Sequence, residues 1–248
     1  MKKGIFLSVL FLSTFSYSLA EGVSFSPRVS KDSLRTLKRM EYKEGIPNGM
    51  LHAISLVETN IGQTGQYRPW PYTIRLNSYK SKKFTNIDDA FEELDLLVDL
   101  GFQNFDLLLG DENIYGLSSF NLEDMLNQVG TNSQTVQISA RGIIKYFKNK
   151  SEAEVALDKL ISRQWYSFKV GIMQLNYNVV KANTDNVYDA LNTYENIDIM
   201  VKQLKEIRRK HTWWESVGLY HSKQQTKAKR YVKNVWAMYQ RVHKIKVR

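Results

Sequence analysis

The chain has 248 residues, 35 Lys and Arg against 25 Asp and Glu, a net charge of +10, and no cysteine. Without Cys there can be no disulfide, no lipidated cysteine anchor and no thiolate metal site. Apolar and charged content are ordinary for a globular chain long enough to bury one sizeable core. The positive balance suits an anionic polymer or surface as well as plain solubility.

Residues 1–20 read as a secretory signal peptide. Lys2 and Lys3 give the positive start, Ile5 to Tyr17 the apolar stretch, and Ser18-Leu19-Ala20 the small residues of a cleavage site. Cleavage is expected after Ala20, with export to a periplasm and no stable membrane insertion afterwards. Residues 21–30 read as a leader and Lys31 to Tyr42 as a helix. Ile46, Met50, Ala53, Ile54 and Val57 follow helical spacing, with Pro47 suited to a first turn and Gly62 to a stop. Glu58 therefore falls near the end of a short apolar helix. Half-buried there, its carboxyl is expected to be held towards its neutral form, as a general acid requires.

All four prolines lie at or before Pro71. Thr73 to Leu76 reads as a short strand. Asn86 starts a helix with a stripe of Ala90, Leu94, Leu97 and Val98 that stops near Gly101, and Phe102 to Leu109 reads as extended. The pattern recurs 63 residues later: Phe84, Asn86, Ala90, Leu94, Asp95, Leu97 and Phe105 match Phe147, Asn149, Ala153, Leu157, Asp158, Leu160 and Phe168. Ile74 falls beside Val136-Gln137-Ile138. The repeat implies two strand-helix-strand units forming one lobe, about residues 72–168, inserted between helical segments. Asn196 to Arg209 and Ser222 to Lys244 read as helices, the second with a Lys/Arg face that is either solvated or turned to an anionic wall polymer or membrane surface.

Three segments carry the chemistry. They are Gly45-Ile46-Pro47 through Ala53-Ile54-Ser55-Leu56-Val57-Glu58-Thr59, Val170-Gly171-Ile172-Met173-Gln174-Leu175-Asn176-Tyr177, and Trp213-Trp214-Glu215-Ser216-Val217-Gly218-Leu219-Tyr220-His221-Ser222. In this order they resemble the soluble lytic transglycosylases, a lysozyme-like superfamily acting on peptidoglycan. Pro69-Trp70-Pro71-Tyr72-Thr73 and the Tyr-His-Ser segment resemble its periplasmic subgroup found with conjugation, type IV secretion or pilus systems.

The resemblance implies a mainly α (α+β) lysozyme-like helical domain over residues 21–248, carrying the duplicated lobe as an insertion. It implies that Glu58 is the one catalytic acid and base, cleaving the β-1,4 bond between N-acetylmuramic acid and N-acetylglucosamine to leave a 1,6-anhydro end. Thr59 stands where the family has Ser. Gly171, Ile172, Met173 and Gln174 match the turn lining the sugar cleft, and Asn176 adds a polar group. Tyr220 matches a cleft tyrosine that steadies the acid or the substrate, and His221 stands where many members carry Asn. Lys169 stands where the subgroup often has Asp. The implied partners are glycan strands and components of an envelope-spanning machine. No cofactor or nucleic acid is expected. Without Cys or a His-Glu-x-x-His motif, no metal site is expected either. Two rival readings remain. One is a hydrolytic muramidase, for which Asp88, Asp106 and Asp111 are the nearest candidates for a second carboxylate. The other is a non-catalytic wall-binding or assembly protein.

Overall fold

The structure, a computed structural model, describes residues 25–62, 67–129 and 135–245. The signal peptide expected at residues 1–20 lies outside the described residues. Among those described, no helix is long and apolar enough to cross a membrane. The chain is mainly helical with two small antiparallel sheets.

Helix α1 (Pro27–Glu44) starts earlier than its apolar pattern suggests, because a Pro sits in its first turn. It ends on Gly45, whose left-handed backbone turns the chain towards α2 (Met50–Thr59). The buried Glu41 of α1 then accepts the backbone N–H groups of Gly49 and His52 at 2.7 and 3.2 Å. Gly49, at the start of α2, has no side chain to cap the helix, so α1 supplies the acceptor and sets a negative charge against the helix N-terminus. Helix α2 begins at Met50 rather than at Pro47, and stops at Asn60, two residues before Gly62. Leu51, Ala53 and Ile54 are fully buried, in the same core as Leu37 and Met40 of α1.

The first sheet has the order β6-β1-β7-β8, from β1 (Thr73–Leu76), β6 (Ile143–Tyr146), β7 (Phe168–Val170) and β8 (Leu175–Asn176). The second has the order β2-β5-β3-β4, from β2 (Tyr79–Lys80), β3 (Phe105–Leu109), β4 (Glu112–Leu117) and β5 (Val136–Ala140). Helices α3 (Ile87–Leu100) and α5 (Lys150–Ser162) open on the Asn pair of the repeat, each side chain accepting a first-turn N–H. Four elements in this region have no counterpart in the expected pattern: the short strands β2 and β6, the strand β4, and α4 (Ser119–Val129).

The two repeat units exchange their leading strands. β1 joins β6 and β7 of the second unit, while β5 joins β2 and β3 of the first. The registers agree: Leu76 pairs with Ile143 in the first sheet, and the residues 64 positions from each, Ala140 and Tyr79, pair in the second. All four strands of the second sheet thus fall within residues 79–141, and every strand of the first lies outside them. The expected lobe of residues 72–168 is therefore one sheet interrupted by a second, and the first sheet runs on through β8. The helical body resumes with α6 (Tyr177–Asn183), a 3-10 turn (Val187–Leu191), α7 (Thr193–Arg208), α8 (Trp213–His221) and α9 (Gln225–Ile245).

The ends of the 79–141 segment are already neighbours. Gly142 donates its N–H to Ser78 Oγ at 3.1 Å, and a Cβ on Gly142 would meet Leu76 O and Ser78 N at 2.8 and 2.9 Å. Joined ends are the mark of an inserted module. Excising residues 79–141 should leave a chain that still melts cooperatively. Its melting temperature should be lower, since Trp165 loses its contacts with Tyr79 and Phe102, and Lys159 and Arg163 lose Asp99. Circular dichroism on heating checks this, and loss of the cooperative transition would contradict it.

Candidate active site

Glu58 lies in the last turn of α2 and is only 5 % exposed. Its Oε1 accepts the hydroxyl of Tyr231, on α9, at 2.8 Å. Its Oε2 faces Arg75 Nη2 at 3.5 Å, and the same Nη2 donates to the backbone carbonyl of Glu58 at 3.0 Å. Arg75 thus satisfies a carbonyl left open at the helix end and places a cation where the helix dipole favours one. The expected apolar setting is met in burial, but charged groups also surround the carboxyl. Lys169 stands opposite Arg75 in the β1–β7 register. Burial pushes the Lys169 ammonium below its ordinary range, Glu58 opposes that, and Arg75 adds to it.

Tyr220 and His221 end α8 at the same place. Burial, and then the charge of Glu58, raise the Tyr220 phenol above its usual value. The same two causes, with the hydrogen bond to Glu58, raise that of Tyr231. Both hydroxyls are therefore protonated donors at neutral pH. The phenol hydrogen-bonded to the acid is Tyr231, and Tyr220 stands beside it as a neighbour in the field of Glu58. The His221 ring stacks on Tyr231 at 3.9 Å and 7°. Burial lowers its pKa, Glu58 opposes this, and Lys169, Arg75 and Lys227 reinforce it, so the imidazole is mostly neutral at pH 7.

The Gly-Ile-Met-Gln segment forms the tight turn between β7 and β8, with Gly171 at φ +80° and Gln174 at φ +51°. It is a buried support. Ile172, Met173 and Gln174 are at most 3 % exposed. The Gln174 amide donates inward to Gly171 O at 2.9 Å and Thr73 O at 3.3 Å. Its expected role as a donor to sugar is therefore corrected: those protons hold the turn to β1. Ile172 and Met173 are core rather than cleft wall. Thr59 is buried as well. Its hydroxyl lies 2.9 Å from Ser55 O and 3.3 Å from Ile172 O and accepts Trp70 N–H, tying the acid's helix to the turn. Asn176 is exposed and pairs with Lys169, on the same sheet face as Arg75.

Asn196 of α7 was not foreseen as a site residue. Fully buried, it accepts Met173 N–H at 2.8 Å and donates to Val170 O and Ala190 O at 3.0 and 2.8 Å. It clamps the turn from the helical side. Arg75 and Tyr231 were read only as strand and helix residues. A charged residue inside a short apolar strand, and a Tyr on the apolar stripe of a basic helix, were the available signals.

Trp70 is fully buried and donates its indole N–H to Phe147 O, so it is core. Asp88, Asp106 and Asp111 all lie within residues 79–141, and Asp106 pairs with Arg141 at 3.2 Å. Among the described residues no group of His, Asp and Glu is arranged to hold a metal ion. The cluster of Glu58, Arg75, Lys169, Tyr220, His221 and Tyr231 can hold and pass one proton through one carboxyl, under neutral hydrogen-bond donors. Compared with protein-family models, with curated proteins and with solved structures, the chain matches none.

Proposed function

We propose that this protein is a lysozyme-like lytic transglycosylase that cuts peptidoglycan strands in the periplasm. The observation that carries this reading is Glu58: a buried carboxyl, held by Tyr231 and Arg75, at the edge of the Gly171–Gln174 turn. Glu58 protonates the glycosidic oxygen between muramic acid and glucosamine. The muramic acid 6-hydroxyl then adds to the anomeric carbon, and its proton returns to Glu58. One carboxyl serves both steps, and no water is placed.

A hydrolytic muramidase of the usual kind needs a second carboxylate to place water or attack the sugar. Among the described residues, Glu58 is the one carboxylate seen to act on Arg75, Lys169, Tyr220, His221 or Tyr231, which favours the water-free route. Opening the wall locally for an envelope-spanning machine fits the subgroup that the sequence resembles. The product decides. Purified wall digested by the protein should release muropeptides with anhydro ends, lighter by one water than reducing ends when weighed by mass spectrometry. Reducing ends alone would assign a hydrolase, and no release would assign a binding protein.

A further inference from the structure

The positive charge around Glu58 exceeds the negative. Arg75 and Lys169 are cross-strand neighbours on the sheet face that meets the end of α2, and among the described residues Glu58 is the one carboxylate acting on either. Arg75 uses Nη2 on Glu58, while its Nε is buried without a hydrogen-bond partner. Lys169 is half-buried and, among the described residues, makes no hydrogen bond or ion pair. A partly desolvated cation without a counterion is costly. It is also badly placed for the proposed chemistry, because positive charge grows at the anomeric carbon in the transition state. An anion supplied by the substrate removes both objections. Asn176, exposed opposite Lys169 on the same face, leaves the approach polar and open.

We infer that Lys169 and Arg75 form a carboxylate subsite beside Glu58, which takes an acidic group carried by the glycan strand. The inference rests on the wall-cleaving reading. Two sources share the chemistry: the lactyl carboxylate of a muramic acid that has lost its peptide, and a carboxylate of an attached stem peptide. A charge-assisted contact of Lys with a carboxylate is about twice as strong as a neutral hydrogen bond, which discriminates the acid from its neutral amide.

The test uses disaccharides that lack the scissile bond. Binding is measured by NMR titration for N-acetylglucosaminyl-N-acetylmuramic acid, its lactyl amide, its peptide-bearing form, and neutral chitobiose. At least one carboxylate-bearing sugar should bind about tenfold more tightly than chitobiose and the amide, and which one does so identifies the source. The preference should vanish in Lys169→Gln and return in Lys169→Arg, with thermal melting confirming that both fold. Equal binding of all four sugars overturns the subsite and leaves the cleavage reading to the product analysis. A preference that survives Lys169→Gln overturns it too, as does a failure of every sugar to bind. Anhydro products are the separate readout of the reaction, so the two ideas fail in different experiments.

Discussion

Glu58→Gln is expected to lower the release of anhydro muropeptides by about a thousandfold, the middle of the range for losing a general acid–base group. The replacement keeps the volume and keeps an oxygen to accept the Tyr231 hydroxyl, so the cleft should hold its shape. It removes the proton that the leaving oxygen needs and the base that the 6-hydroxyl needs, so both steps fail together. It also removes the ion-pair partner of Arg75 and the charge that opposes the desolvation of Lys169, and sets an amide N–H₂ or oxygen against the Arg75 guanidinium. Some loss of thermal stability should accompany the loss of activity. Two measurements separate these effects: muropeptide release from purified wall, and melting followed by circular dichroism. If the variant melts as a folded protein and releases anhydro ends at the wild-type rate, Glu58 is not the acid.

What the sequence made legible was local. The strand at Thr73–Leu76 and the helix Ile87–Leu100, stopped by Gly101, announce themselves by turn chemistry and periodicity, and both lie where they were read. The position of Glu58 near a helix end was legible for the same reason. Its surroundings were not. Tyr231 is 173 positions away and reads as one more apolar residue on the stripe of α9, because periodicity tells which face is buried and not what it is buried against. Asn196 reads as a polar residue near a helix start, and only the packing of α7 on the turn shows that it bonds three backbone groups there.

The repeat was visible as a 63-residue spacing, while the exchange of leading strands was not. Antiparallel pairing in either arrangement buries the same faces, so the pattern of apolar residues is the same whichever unit a strand joins. The helix and the following strand keep the 63-residue spacing, whereas the leading strands are set 64 apart: Ile74 and Leu76 occupy the places of Ile138 and Ala140, facing the helices. That single residue is why Ile74 found no identical partner in the repeat. The Gly-Ile-Met-Gln segment was located correctly and its chemistry misread. Polar types at a site suggest contact with a ligand, but a tight turn with two positive φ angles consumes the donors of its own side chains.

Gly171→Ala should damage the protein more than any other single methyl placed near the site. At φ +80° an L side chain is strained, at about 1–3 kcal/mol. The added Cβ would also lie 2.2 Å from Asn196 Nδ2 and 2.3 Å from Ala190 O. One of these is backbone and the other is a buried side chain with its hydrogen bonds made, so neither can yield cheaply, and overpacking of this kind adds about 1–3 kcal/mol. Against a total stability of about 5–15 kcal/mol this is a large fraction, and the melting temperature should fall by about 10 °C. Activity should fall further than stability requires. The push moves Asn196, Asn196 holds Met173, and Ile172 of the same turn is tied to Thr59 beside Glu58. A displacement of about 1 Å at a reacting group costs about a hundredfold in rate. Gly110→Ala is the matched control: its φ is +56°, nothing lies within 4 Å of the new Cβ, and it sits in the 79–141 segment away from the cleft. It should show the conformational cost alone, with cleavage unchanged. Equal effects of the two substitutions on melting and on muropeptide release would mean that the Asn196 clamp does not set the geometry around Glu58.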